Sequence, residues 1–466
     1  MFPAAFVQRI IQQFPKYHQE LLEAFSQEVP VSIRYNPAKA AGVKAPHSPV
    51  PWHQQGVYLH ERPAFTFDPL FHAGAYYVQE ASSMLLKEAF QAVLKGLRKD
   101  PVVLDLCGAP GGKTTLLASA MQNSGLLVAN EVIKNRAQIL RENVIKWGAH
   151  NVVVTQNDAR HFAALPHHFD VAVVDAPCSG EGLFRKDPQA REEWSEDNAA
   201  LCAQRQQRIL ADVWPALKPG GFLIYSTCTF NPAENEENLA WLQANGMGQT
   251  FQWQLPEDWP FEKIALEQME GYAAYPHKVK GEGFFIAIIQ KTADLPKNND
   301  GKQRRPKDLP KKTDKKLAAQ MLYAAAIAKE SYSIGEHIVW LPVAMELWAP
   351  VFQHMHTIHA GVPLGQFKGK QWIPAHASAL AGVVPEEVPV VSLTDEQALT
   401  YLRGQAFRLD EAPRGWLVVT YRGLALGYVK NLGNRCNNYY PKSWVIRSQK
   451  TVEIPEVVEV SELFVG

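Results

Sequence analysis

Apolar and polar positions alternate along this chain with a period that changes from one region to the next. Phe6, Ile10, Phe14 and Tyr17 recur at helical spacing, as do Leu21, Leu22 and Phe25. They predict a small helical cap over residues 1–75. Ser32–Pro37 reads as a short strand before a turn, and the frequent prolines from Pro37 to Pro69 predict loops. From 76 to 291, short apolar runs alternate with longer amphipathic ones, the signature of βαβ units and a parallel sheet. Strands are expected at Val102–Leu106, Leu126–Glu131, Val152–Thr155, Val171–Asp175 and Phe222–Ser226, with Gly283–Lys291 closing the sheet. Helices are expected at Thr114–Met121, Lys134–Trp147 and Asn198–Leu217.

The pattern then breaks. Residues 291–316 carry ten Lys/Arg and four Asp, with three prolines and no aromatic residue. That composition cannot bury a core, so 292–316 reads as a solvated basic linker. Residues 317–390 form an intermediate region that opens on an expected helix, Leu317–Lys329. Residues 391–466 read as a small, mostly β domain, with a hairpin from Trp416–Thr420 and Leu424–Val429.

Composition narrows the function. The chain has 466 residues, long enough for several domains, and 46% are hydrophobic. Formal net charge is zero, so any affinity for nucleic acid must come from local patches. One such patch lies between 400 and 450, where nine Lys/Arg face two acids and Tyr421, Tyr428, Tyr439, Tyr440 and Trp444 are interleaved. Basic groups for phosphates and aromatics for stacking suit RNA, although an ordinary basic face around a core would look similar. The five cysteines are scattered, without metal-ligand spacing. They fit a reducing cytoplasm and argue against structural zinc. No apolar run is long enough to span a bilayer, and the N-terminus lacks the pattern of a signal peptide. The expected protein is a cytoplasmic monomer without membrane contact.

Two stretches carry candidate chemistry. Phe169–Gly182 and Tyr225–Phe230 are apolar runs ending in small-residue turns, and each turn holds a cysteine, Cys178 and Cys228. In an open α/β sheet, turns after parallel strands gather in one crevice, so both cysteines could face one substrate. A lone cysteine is more often a small buried hydrophobe; two in equivalent turns are harder to dismiss. The second feature is Val102–Thr115, a strand, a glycine-rich loop and a helix start. Gly108, Gly111 and Gly112 let the backbone approach a ligand. The spacing matches neither a Walker loop nor GxGxxG. Glu131 stands at a strand end, where a ribose diol is gripped in doubly wound sheets. Asp158, after the third strand, could accept from an adenine amino group. Loop and acids together point to an adenosine-containing cofactor.

These residues resemble a known family. Asp105-Leu-Cys-Gly-Ala-Pro-Gly-Gly-Lys113, Asp175-Ala-Pro-Cys-Ser-Gly180 and Ser226-Thr-Cys-Thr229 are similar to motifs of the Sun/nucleolar-protein family of RNA cytosine-5 methyltransferases. Ala75–Ser83 and Asn231–Glu237 match that family's flanking motifs. Gly108 departs from the pattern, where alanine is frequent, and should be harmless in a glycine-rich loop. The resemblance implies a Rossmann-like class I methyltransferase sheet in an α/β fold, with an N-terminal helical cap and a C-terminal PUA-like β domain. Its domains would be an N-terminal RNA-binding or cap region (1–75), a methyltransferase domain (76–291), the linker (292–316), the intermediate domain (317–390) and an RNA-binding PUA-like domain (391–466). It implies S-adenosylmethionine as cofactor, held by Cys107, Gly108, Ala109, Pro110, Gly111, Gly112, Lys113, Glu131, Asp158 and Asp175. No metal is expected. It implies RNA as partner, 16S ribosomal RNA or the small ribosomal subunit.

The resemblance also implies the catalytic roles. Cys228 would be the nucleophile that adds to carbon 6 of cytosine, because carbon 5 is unreactive until a thiolate has added. Asp175 would hydrogen-bond and protonate the base edge, and Cys178 would help remove the carbon 5 proton. Lys113 either orients the loop or substrate or is a solvated helix-start lysine. Arg185 and Lys186 either hold the RNA backbone or form a surface charge pair. Three other readings stand beside this one: a transfer RNA methyltransferase, a DNA-type enzyme with Cys178 as nucleophile, and a non-catalytic ribosome-assembly factor.

Overall fold

The computed structural model describes residues 2–40, 47–293, 306–314, 317, 320–321, 323–450 and 453–458. The expected N-terminal helices form, at Ala4–Gln13 and His18–Ala24. They bury Phe6, Ile10, Leu21 and Ala24. Strands β1 (Val31–Tyr35), β2 (Ser48–Val50), β3 (His53–Leu59) and β4 (Tyr76–Val78) follow, in an antiparallel sheet of order β2-β3-β1-β4. The prolines predict loops over much of this stretch, and the sheet corrects that expectation for a simple reason. Pro49 lies in the edge strand β2, where a missing N–H costs no ladder bond, and β3 itself contains no proline.

The large sheet is built from β5 (Val102–Asp105), β6 (Leu126–Asn130), β7 (Val152–Thr155), β8 (Phe169–Asp175) and β9 (Leu217–Thr227). All five are parallel, in the order β7-β6-β5-β8-β9. β5, β6 and β7 are buried along their whole length, as strands covered on both faces must be. Alternate residues point to opposite faces. Leu104, Val128 and Val174 meet Phe6, Phe25 and Leu210 on one side. Val103, Leu127 and Val173 meet Phe90, Leu117 and Leu140 on the other. Helix Lys134–Trp147 ends as expected, at Gly148 in the left-handed conformation. Helix Glu196–Val213 ends four residues short of its expected limit, because Pro215 cannot continue it and Leu217 opens β9.

Strands β10 (Gly248–Thr250), β11 (Glu262–Leu266), β12 (Met269–Ala274) and β13 (Phe284–Lys291) extend the sheet. β13 lies antiparallel against β9, with β12 and β11 outside it and β10 also paired to β13. Beyond them come β14 (Lys311–Lys312), β15 (Ser331–Ile334), β16 (His337–Trp340), β17 (Thr357–Ala360), β18 (Val362–Lys368) and β19 (Gln371–Pro374). Most of these make a five-stranded sheet, but β17 pairs antiparallel with β7 and becomes an edge of the large sheet. The helix expected from Leu317 is described only as Ala325–Lys329; much of its first part, and 294–305 of the linker, lie outside the described residues.

The expected hairpin forms from β21 (Gly415–Tyr421) and β22 (Leu424–Asn431), in a four-stranded sheet with β20 (Val390–Ser392) and β23 (Cys436–Asn438). This sheet shares a core with the N-terminal one: Ile33, Val57, Leu70 and Tyr76 pack with Tyr401, Leu417, Val419 and Tyr440. The chain's two ends are thereby joined. Among the described residues, no helix is long and apolar enough to cross a membrane.

Candidate active site

The strand order reverses at β5, with β6 on one side and β8 on the other. Crevices at such switch points, beyond the carboxyl ends of the strands, bind ligands. The glycine-rich loop after β5, Glu131 after β6, Asp158 after β7 and the cysteine turns after β8 and β9 all follow the carboxyl ends of these strands. The loop after β5 leads into helix Gly112–Met121, with a cis Ala109–Pro110 bond and Gly111 at φ +121°. Arg136 donates to the Ala109 carbonyl (3.0 Å), and Asn143 Nδ2 to that of Pro110 (2.8 Å). Asp105 is fully buried. Its Oδ2 accepts from Thr114 Oγ1 at 2.6 Å, and its Oδ1 has no hydrogen-bond partner among the described residues. Burial pushes this carboxyl from 3.8 up to about 7, and the charges of Asp175 and Glu131 add to the rise. Burial likewise raises the Cys107 thiol. At Gly108 a Cβ would come within 2.8 Å of Thr114 Oγ1 and 3.1 Å of Asp105 Oδ2. Glycine suits this position, because the Thr114–Asp105 bond occupies the space a Cβ would enter.

The neighbouring strand ends are tied together by Asn130, which the sequence did not single out. Its Nδ2 donates to the carbonyls of Leu106 (3.0 Å) and Asn157 (2.9 Å). Its Oδ1 accepts from Thr155 Oγ1 (2.9 Å) and Asn157 N (3.0 Å). Glu131 sits beside it, nearly buried, with Oε1 accepting from Ile133 N (3.0 Å) and Arg136 NH2 3.6 Å from Oε2. Asp158 is at the rim, where its Oδ1 accepts from Arg160 N (3.1 Å) and caps the turn Ala159–Ala164. Asn157 reaches outward to the residue before β17: its Oδ1 accepts from His356 N at 3.1 Å.

S-adenosylmethionine fits this crevice by donor type. Its ammonium matches the unpartnered Asp105 Oδ1, and its ribose diol matches Glu131.

β8 and β9 end side by side, and the two turns that follow are zipped together. Ala176 N donates to Ser226 O (2.8 Å), and Ser226 Oγ to Asp175 Oδ1 (2.8 Å). The sulfurs of Cys178 and Cys228 stand 2.9 Å apart as free thiols. The hydroxyls of Ser179 and Thr229 are 3.0 Å apart, and Gly182 N donates to Cys228 O (2.8 Å). The Cys178 thiol is raised well above the ordinary value, first by its hydrogen bond to Cys228, then by burial. Lys113 Nζ lies 2.9 Å from Asp175 Oδ2. Burial lowers the Lys113 pKa most, but the charge and hydrogen bond of Asp175, with Cys228 and Asp105, together hold it above the ordinary value. Lys113 is therefore neither a solvated lysine nor remote from the candidate site.

Glu234 anchors the Cys178 turn. It accepts from Ser179 N (2.9 Å), Ser179 Oγ (2.5 Å) and Gln206 Nε2 (2.9 Å), while Gln206 also donates to Pro177 O (3.0 Å). Glu234 lies within the Asn231–Glu237 motif, which was the only sequence signal for it. Arg185 is a correction. It is buried, 3.2 Å from Glu282 Oε1, and donates to Gly281 O. It is thus neither an RNA contact nor a surface charge; Lys186 alone of that pair is exposed. Among the described residues, no group of three His, Cys, Asp or Glu could hold a metal.

Comparison with known proteins agrees with this architecture. Residues 2–81 match the N-terminal domain of 16S rRNA methyltransferase RsmF, 92–290 the 16S rRNA methyltransferase RsmB/F family, and 388–446 the RsmF PUA domain. Ribosomal RNA small subunit methyltransferase F of Klebsiella pneumoniae is 32% identical over 95% of this chain and 96% of its own. The Shewanella loihica protein of that name is 34% identical, covering 85% of this chain and 83% of its own. A solved methyltransferase homologue from Pyrococcus horikoshii superposes with a TM-score of 0.53 and 30% identity, over 62% of this chain and 95% of that one. With a Rossmann-like methyltransferase sheet, an RsmF N-terminal domain and a PUA domain in one chain, this protein belongs to the ribosomal RNA small subunit methyltransferase F family, whose members are S-adenosylmethionine-dependent RNA methyltransferases.

Proposed function

We propose that this chain methylates carbon 5 of a cytosine in ribosomal RNA, most specifically 16S RNA, through a covalent adduct with Cys228. The observation that carries the reading is the pair of thiols 2.9 Å apart at the ends of adjacent strands, next to Asp175. When bound, S-adenosylmethionine supplies an electrophilic methyl group; Asp105, Glu131, Asp158 and the loop Cys107–Lys113 would hold it.

The chain's own residues do the rest. The target base leaves its stack or comes from a loop to enter the crevice. Cys228 adds to carbon 6, which makes carbon 5 an enamine carbon able to take the methyl group. Asp175 hydrogen-bonds the base edge and relays to it the proton that the Cys228 thiol gives up as the sulfur–carbon bond forms. Lys113 and Ser226 fix the orientation of that carboxyl. Cys178 then assists removal of the carbon 5 proton, the ring double bond re-forms, and Cys228 leaves. RNA contact by the C-terminal sheet is supported by Trp416 and Tyr439, with ring centroids 4.4 Å apart, and by Lys430 over Trp416 at 5.7 Å.

The test uses both cysteines. Incubated with unmodified 16S RNA and S-adenosylmethionine, Cys178→Ala should accumulate a protein–RNA adduct, seen as a slow band on a denaturing gel and lost on ribonuclease treatment. Cys228→Ala should form none. The reverse pattern overturns the assignment. Mass mapping of the methylated base in wild-type reactions decides between carbon 5 of cytosine and any other position.

A further inference from the structure

The N-terminal helix Ala4–Gln13 lies across both cysteine turns, and two of its side chains reach one turn each. Arg9 NH2 is 2.6 Å from Glu181 Oε1, three residues beyond Cys178. Gln13 Nε2 donates to Phe230 O at 2.9 Å, two residues beyond Cys228. Arg9 and Gln13 stand one helical turn apart and are themselves joined, NH1 donating to Oε1 at 2.7 Å. Glu181 closes the ring. It is fully buried, accepts from Trp194 Nε1 at 2.9 Å and from Phe230 N at 3.3 Å, and Arg9 is its one cation within ion-pair reach among the described residues. The helix is pinned by Phe6 against Phe184 (4.9 Å) and by Phe14 against Tyr275 (5.0 Å), so its position is not adjustable at small cost.

We propose that Arg9 and Gln13 are positioning residues that set the spacing of Cys178 and Cys228 from outside the methyltransferase sheet. The N-terminal helix is then a working part of the catalytic centre. β8 and β9 fix where each turn begins, and the Ser179–Thr229 and Gly182 N–Cys228 O contacts join the turns to each other. The helix adds a hold on both turns from outside the sheet. The inference rests on the two-cysteine reading above.

Its test measures the spacing itself as well as turnover. In the free protein, the rate at which a diamide-type oxidant joins Cys178 to Cys228 reports how close the sulfurs stay, whatever chemistry they perform. Gln13→Ala and Arg9→Gln should slow that cross-linking by about tenfold or more, and single-turnover methyl transfer by up to about 100-fold, the scale of a 1 Å misplacement. KM for RNA and affinity for S-adenosylmethionine should stay within about twofold, as expected where binding groups are untouched. Arg9→Lys, which keeps the charge beside Glu181, should recover part of the loss. Ile11→Ala, on the exposed side of the same helix, should match wild type. Gln13→Ala, which leaves no buried charge unpaired, covers the case in which Arg9→Gln does not fold. Unchanged cross-linking and turnover in folded variants overturn the proposal, as does a defect confined to KM for RNA. If the Cys178→Ala adduct fails to form while the cross-linking rates still respond, the covalent reading falls and the bracket stands.

Discussion

Asn130 offers the most direct measure of how the cofactor floor is held. The side chain is 2% exposed and makes four hydrogen bonds, two given and two received. That is the full capacity of a carboxamide. Asn130→Ala removes all four at once. At about 1 kcal/mol net for each, the domain should lose about 4 kcal/mol. A domain of ordinary stability, about 5–15 kcal/mol, survives that loss, so the variant can be studied folded. The bonds run to Leu106, which opens the cofactor loop, and to Asn157, beside Asp158. Their loss should therefore also weaken S-adenosylmethionine binding; each 1.4 kcal/mol of loosened floor is about tenfold in affinity. Asn130→Asp gives a signed control. An aspartate cannot donate to the two carbonyls unless protonated, so burial should raise its pKa in the folded protein. Its stability deficit should be largest at neutral pH and shrink as pH falls through that raised value. Urea unfolding at several pH values and calorimetry with the cofactor provide the readings. A loss under about 1 kcal/mol for Asn130→Ala with unchanged affinity would refute the argument, since it would mean that the four bonds hold nothing the loops need.

Asp105 makes a pH prediction. Its folded pKa of about 7 lies above the ordinary 3.8, so the folded state holds the proton more tightly and stability falls as pH rises between those values. Asp105→Asn should remove that slope, and urea midpoints for the two proteins at pH 5 and pH 8 should show it; equal slopes would mean that Asp105 does not titrate there. Affinity for S-adenosylmethionine should rise toward pH 7 in wild type, as the carboxylate becomes available to the ammonium, and stay flat in Asp105→Asn. On the C-terminal sheet, changing the exposed Arg408, Arg435 and Lys442 to alanine should reduce the salt dependence of RNA binding, by about 0.7 in log–log slope for each phosphate that no longer meets a cation. An unchanged slope would remove these residues from the RNA surface. Point changes are the right tool, because deleting this sheet would strip the core it shares with the N-terminal one.

The elements that local pattern can specify were legible in the sequence. Val152–Thr155 and Lys134–Trp147 form as their periodicity required, because a strand or helix that must bury one or both faces writes its period into consecutive residues. The glycine loop and the two cysteine turns were legible for the same reason: their chemistry is carried by neighbours in sequence. Tertiary structure decided the rest. Whether Arg185 faces RNA or Glu282, whether β17 joins β7, and whether the two chain ends share a core depend on contacts between segments far apart in the chain. Such contacts impose no period on either segment. Asn130, Glu181 and Glu234 were hidden for a related reason. Each lies in a stretch the sequence picked out, but only folding shows that each is buried and hydrogen-bonded to the turns carrying Asp158, Cys178 and Cys228.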